Sequence, residues 1–391
     1  MPPTTLIDRV RSLVNRSRLL ETATRLVSIP SPTGDAGNVL DELDRMLKAE
    51  GFSTQREAAT HPKAPAVLTR LESGRPGKCL QFNGHLDVVH LPFVPPTVEG
   101  NLLKGSGACD MKGGTAAAIE AMRVLRDGNL LNRGSILFVA HDLHEAPWGL
   151  GHQLDDLIRR GIHGDAVLIP EPLNQNLPVL GRGCATWKVF LKRSGPPVHE
   201  VMRPADEPSV IAAGADLATR IGKLNATLSQ CDDTLAGKPS AFIGQVHSGE
   251  IYNQYPQECM LEGTRRWLPG TDSTEVEREF RSLIADVERE HRVQAAIEWR
   301  FIRGAFSLNT DVPFVAAFQE SYSAVSGSPL PTGPKLFVDD GNSFSSTANI
   351  PAITHGPRAG GQHTVNEWVD IDDLVRVVVV YALTAIAFLD D

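Results

Sequence analysis

Residues 141–152 read HDLHEAPWGLGH and follow directly on the apolar run SILFVA. His141, His144 and His152 share this stretch with Asp142 and Glu145, and imidazoles beside carboxylates can hold a divalent cation or move protons near neutral pH. Four other segments have the same character. In GHLDVV, His85 and Asp87 stand two apart on a strand, so both point to one side. Asp87 is placed to take the second N–H of a metal-bound His85 and fix its tautomer, while a hydrogen-bonded strand-end histidine is the competing reading. In GSGACDMKGG, Asp110 sits in a glycine-rich turn that opens a helix, where a carboxylate is either an N-terminal cap or a ligand. Gly113 and Gly114 cost helix stability there and permit close backbone approach, and Cys109 reads as packing.

IPEP puts Glu171 at the end of another buried strand, where a carboxylate is costly unless paired or metal-bound. GPRAGGQHTVNEW puts His363 in a glycine-rich loop, and HDLHEAP supplies His144 and Glu145. His85, Asp110, Glu145, Glu171 and His363 form a set of two imidazoles and three carboxylates. Such a set suits Zn²⁺ first, and also Mn²⁺ or Co²⁺.

These residues need elements to bring them together. Up to about residue 180 the chain alternates helix-like and strand-like stretches: NVLDELDRMLKAEGF, KCLQFNGHLDVV, MKGGTAAAIEAMRVLRDG, SILFVAHD and DAVLIPEP. The short apolar strands fit a mostly parallel sheet covered by helices on both sides, an α/β fold with ligands at the carboxyl ends of its strands. From about residue 185 the order becomes β-α-β-β-α-β, the split unit of a small two-layer ferredoxin-like domain. After about residue 304 the first pattern resumes and closes with IDDLVRVVVVYALTAIAFL. The expected domains are 1–184 with 304–391, and an inserted domain at 185–303.

Bulk properties narrow the partners. A 391-residue chain allows two or three folding units at ~150 residues each. Its net charge of −9 and lack of a dense Lys/Arg stretch argue against nucleic acid. The N-terminus has no apolar segment of signal-peptide kind, and the longest apolar run is too short to span a bilayer, so the expected location is the cytoplasm, with no membrane partner. Five cysteines without CxxC pairing imply neither a disulfide framework nor a thiolate zinc site.

Taken in order, GHLDVV, GACDMKGG, EP and GQHTVNE resemble the dinuclear zinc aminoacylase/carboxypeptidase family of metallohydrolases, over nearly the whole chain from about Leu20. The resemblance implies a zinc-exopeptidase-like catalytic domain with an inserted lid and dimerisation domain. It implies two metal ions, with Asp110 bridging, His85 and Glu171 completing one site, Glu145 and His363 the other, and Asp87 orienting His85. Single metal occupancy is the alternative. His199 of PPVHE matches a histidine that in the family reaches across a homodimer to the substrate's developing oxyanion. Asn253 and Arg266 match substrate-contacting positions, and Arg358 lies in a loop where a substrate carboxylate is held.

Two positions depart from the pattern. The family carries paired glutamates, a general base followed by a ligand, where this chain has His144-Glu145, and Ser106 stands in place of an arginine. His144 is a feasible base because an imidazole titrates near working pH; alternatively His144 is a ligand and Asp142 or Glu145 moves the proton, and a third reading makes His144 only a packed loop histidine. The expected function is metal-dependent hydrolysis of a C–N bond in a small carboxylate-bearing substrate, such as an N-acyl amino acid (a deacetylase) or a dipeptide. The altered base and neighbouring Trp148 leave open hydrolytic deamination of an aromatic amine. A non-catalytic paralogue is the third reading, against which the intact ligand set argues.

Overall fold

Six strands built from short apolar runs form the principal sheet of a computed structural model that describes residues 2–232 and 234–391. Their order is Thr54–Glu57, Ala66–Glu72, Ser135–His141, Cys79–His85, Ala166–Ile169 and Ala352–Thr354. The last four run parallel, and the two at the other edge are antiparallel. Ser135–His141 is buried along its whole length and Cys79–His85 from Leu80 onward, because helices cover both faces of the sheet. Continuous apolar runs are therefore the right composition for these strands.

The chain adds Ser135–His141 on one side of Cys79–His85 and Ala166–Ile169 on the other. Strand order thus reverses at Cys79–His85, and in open α/β sheets the crevice at the carboxyl end of such a switch point accepts ligands. Helix Gly113–Asp127 packs into this core with Gly113–Leu125 all buried. It ends at Gly128, as the glycine-closed pattern predicts. The closing helix Ile371–Asp390 buries Leu374, Val377–Val380 and Tyr381, so its apolar run serves the core. Among the described residues no helix is long and apolar enough to cross a membrane.

The chain forms two compact units. The first comprises the residues up to Val179 with Ser307–Pro334 and Asp339–Asp391, and the second Leu180–Phe306 with Lys335–Val338. The short segment 335–338, which the sequence pattern leaves with the first domain, groups with the second. Within that unit Lys335 Nζ lies 4.0 Å over the Phe306 ring.

The second unit is a four-stranded antiparallel sheet in the order Ser240–Ser248, Glu258–Trp267, Gly183–Lys192, Gln294–Arg303. Helices Val210–Leu228 and Ser273–His291 lie against it over a core of Trp187, Val189, Leu191, Leu217, Leu261 and Phe280. This is the ferredoxin-like arrangement that the β-α-β-β-α-β order predicts.

Candidate metal centre

His85 is the last residue of Cys79–His85 and pairs in register with His141, the last residue of Ser135–His141. Glu171 follows Ala166–Ile169 by two residues, and His363 stands in the loop beyond Ala352–Thr354. Parallel strands share direction, so these groups emerge at one edge of the sheet. Asp110 joins them from the turn ahead of helix Gly113–Asp127.

That turn does not use Asp110 as a cap: the helix has no side-chain capping bond. Instead Asp110 Oδ1 lies 3.2 Å from His85 Nε2, and Oδ2 lies 3.4 Å from His363 Nε2. One carboxylate offers one oxygen to each imidazole. Glu145 Oε2 approaches His363 Nε2 to 3.2 Å, and Glu171 Oε1 approaches His85 Nε2 to 3.5 Å. All five candidate ligands named from the sequence converge.

Backbone geometry supports the convergence. A Cβ on Gly114 would stand 1.9 Å from the Pro170 carbonyl, so only glycine lets the helix press against the residue preceding Glu171. His363 has φ +58° and Leu143 φ +64°. Left-handed backbone costs a non-glycine residue roughly 1–2 kcal/mol, a cost borne here at the two loops that aim His363 and His144.

Asp87 does not bond His85 through its carboxylate. His85 Nδ1 lies 2.9 Å from the Asp87 main-chain carbonyl, and the carboxylate stands 3.6 Å away. Asp87 Oδ2 instead accepts the backbone N–H of His144 and of Glu145, at 3.0 and 3.1 Å. The carbonyl at the strand end already satisfies the imidazole, which releases the carboxylate to hold the next loop. Glu367, which no motif singled out, works similarly by accepting the N–H of Cys109 and Asp110, both at 3.2 Å. A signal was present: an acid four residues past His363 in a loop that returns to the sheet.

His144 is part of the cluster. Its ring stacks on that of His85, with centroids 3.9 Å apart and planes 6° apart. Its Nε2 lies 3.7 Å from Glu171 Oε1, and its Nδ1 lies 2.7 Å from Asp340 Oδ1. Asp340 had no motif to mark it. Asp142, an alternative base, is committed elsewhere: its carboxylate accepts the N–H of Gly34, Ala36 and Leu143 and meets His61 Nε2 at 3.1 Å.

The electrostatics follow from burial among opposite charges. Burial pulls the His85 imidazole down, but Asp110 and Glu171 outweigh it and hold it well above its ordinary value. For His144, burial and the neighbouring His85 charge act downward, and Asp340 raises the ring to about 9. Hydrogen bonding to Asp110 and Glu145 lifts His363 to about 10. Burial and the Asp110 charge push Glu171 up to about 8, whereas Asp110, despite burial, is held low by His363 and His85.

This donor set fits divalent cations. His85, Asp110 and Glu145 present ligand atoms within 4.8 Å of one another, as do His85, His144 and Glu171. Glu171 Oε1 and Asp87 Oδ1 are buried without a hydrogen-bond partner. An orphaned buried carboxylate oxygen is costly, and a cation beside Glu171 would remove that cost.

Of the remaining predicted residues, His199, Asn253 and Arg266 belong to the second unit and Arg358 to the first. In the second unit His199 Nε2 meets Asn253 Nδ2 at 3.0 Å, and His199 Nδ1 meets the Glu200 carboxylate at 2.7 Å. Arg266 is half-buried with no carboxylate partner among the described residues, and its charge, after burial, helps lower the neighbouring Arg182 guanidinium. In the first unit Arg358 binds Asp370, which caps the closing helix, so its guanidinium already has a partner.

Comparison with known proteins gives the family and the fold of this chain. A profile described as peptidase family M20/M25/M40 matches residues 81–387. An aminopeptidase of Bacillus cereus is similar with a TM-score of 0.80 at 18% identity, over 96% of this chain and 99% of that one. Human carnosine dipeptidase 1 is similar with a TM-score of 0.74 at 16% identity, over 99% of each chain. A dinuclear metal-binding peptidase of Bacillus subtilis is similar with a TM-score of 0.69 at 16% identity, over 96% and 98%.

Proposed function

The chain belongs to peptidase family M20/M25/M40 and is a metal-dependent hydrolase acting on C–N bonds, and from that premise we propose that it cleaves the amide of a small carboxylate-bearing substrate, an N-acyl amino acid or a dipeptide. One observation carries the reading: Asp110 directs its two carboxylate oxygens at two different histidines, His85 and His363. In this reading Asp110 would be shared by two cations, with His85 and Glu171 as the further residues that would hold one and Glu145 and His363 those that would hold the other. Zinc suits the set best, and manganese or cobalt would also be accepted. Bound there, the cations supply Lewis-acid activation of water and polarisation of the scissile carbonyl.

The chain's own residues do the rest. His144 Nε2 faces the cluster and takes a proton from the attacking water, then returns it to the leaving nitrogen. Asp87 and Glu367 hold the backbones of His144, Glu145 and Asp110, so the groups are fixed before substrate arrives. Arg266 beside Arg182, with no carboxylate partner among the described residues, suits the substrate's carboxylate, and the His199–Asn253 pair suits the developing oxyanion. A homodimer through the inserted unit is supported by its edge strand Ser240–Ser248, where Phe242 and Val246 are 60% and 52% exposed.

The test is hydrolysis of a panel of N-acetyl amino acids and dipeptides by protein whose metal content has been measured. Release of free amino acid that depends on about two metals per chain is the expected result. A metal-loaded protein inert across the panel would remove the reading. A second reading, deamination of an aromatic amine, is favoured by Trp148, which is 43% exposed and stacked on His90 at 4.2 Å beside the Glu145 loop. Ammonia release without an acyl product would select it.

A further inference from the structure

Asp340 begins helix Asp340–Ala348, behind the capping residue Asp339, and is fully buried. A carboxylate so placed must be surrounded by donors, and the donors here are informative. Asp340 Oδ2 meets His141 Nε2 at 2.8 Å and accepts Asn83 Nδ2 at 2.9 Å. Asp340 Oδ1 meets His144 Nδ1 at 2.7 Å. Asn83 and His141 belong to two central strands and pin one oxygen, which leaves the other at a fixed place under His144.

An ionised carboxylate accepts hydrogen bonds and cannot donate them. The His144 nitrogen facing it therefore carries the proton, and in the neutral ring the lone pair belongs to Nε2. That atom is 3.7 Å from Glu171 Oε1, on the side of the candidate ligands. The stack on His85 fixes the ring plane, and Asp340 fixes which way round the ring stands.

We propose that Asp340 is a positioning residue for proton transfer: it holds His144 in the Nδ1–H tautomer so that Nε2 presents its lone pair to the attacking water. The inference rests on the reading of His144 as the base. It adds the group that makes a histidine serviceable as that base. No bond to Asp340 is made or broken, and the proton on Nδ1 stays there through the cycle. A carboxylate that orients a catalytic imidazole in this manner can be worth ~10⁴ in turnover, most of it lost when an amide replaces it and the wrong tautomer forms.

The test compares Asp340→Asn, His144→Ala and the double variant, metal-loaded, on the best substrate of the panel above. Asp340→Asn should lower kcat by ~10²–10⁴ while KM and metal content stay near wild type. The double variant should be no slower than His144→Ala, since groups that act as a unit are not additive. Losses that multiply in the double variant, or an undiminished kcat in Asp340→Asn, overturn the role of Asp340 and leave His144 as base. If His144→Ala sheds metal or keeps its turnover, the base reading itself fails, and this inference with it. A readout on the unmodified protein guards against a variant that does not fold. In zinc-loaded protein carrying ¹⁵N-histidine, the His144 ring should show Nδ1 protonated and Nε2 bare, and the opposite tautomer overturns the proposal.

Discussion

The His85 and His144 rings lie parallel, 3.9 Å apart between centroids, with their Nε2 atoms on the same side. Their Nδ1 atoms go to different acceptors: His85 to the Asp87 carbonyl, His144 to the Asp340 carboxylate. Two imidazoles thus share one orientation with different backing. Behind His144 a carboxylate raises the ring's basicity, as a proton acceptor needs, whereas the partner behind His85 is a main-chain carbonyl. Replacing His144 by Ala is expected to lower kcat by ~10²–10⁴ with metal content unchanged. Metal analysis beside steady-state kinetics checks this, and loss of a metal would make His144 a ligand.

In the proposed arrangement Asp110 would serve both cation sites, which would make it the least replaceable group of the centre. Asp110→Asn removes the charge from both sides of the carboxylate, so occupancy of both sites should fall together. Elemental analysis after dialysis reads this directly. Retention of a full complement would show that Asp110 does not bridge.

Asp87 acts through the backbone of the following loop. Asp87→Ala frees the N–H of His144 and Glu145, so Glu145 loses its aim and metal affinity should drop ~10–100-fold. Competition with a chromophoric chelator measures the change. An unaltered affinity would mean that the loop needs no such anchor.

In metal-free protein, His144 at about 9 and His363 at about 10 stay protonated at neutral pH, and His85 is raised as well. An imidazole raised in the folded state contributes stability that is complete below its unfolded value of ~6.5 and is lost as pH rises through the folded value. Glu171, pushed up to about 8, acts in the same direction. Metal-free protein should therefore lose thermal stability between about pH 7 and pH 10. Metal affinity should rise over the same window, because the cation must displace those protons. Calorimetry in buffers of different ionisation enthalpy should detect proton release on zinc binding at pH 7. Binding without proton release would contradict the assignment.

Gly114→Ala tests the packing that seats Glu171. The new methyl would meet the Pro170 carbonyl at 1.9 Å, and overpacking of this kind costs ~1–3 kcal/mol. Urea unfolding should show the loss, accompanied by weaker metal binding as Glu171 shifts. A neutral substitution would mean that the helix slides freely past that strand end.

The sequence by itself determined the α/β class, the inserted β-α-β-β-α-β unit and the five residues that converge, because each rests on a local pattern. Apolar runs of four to seven residues make buried strands, and acids or histidines directly after them must sit at the carboxyl edge. Only the tertiary structure decided what stands behind those residues. Asp340 is 196 positions from His144, and Glu367 is 257 from Asp110, so no local spacing could pair them. The same limit explains Asp87 and Asp142. Which oxygen of an aspartate meets which donor depends on loops from separate strands, and those distances exist only once the sheet has closed.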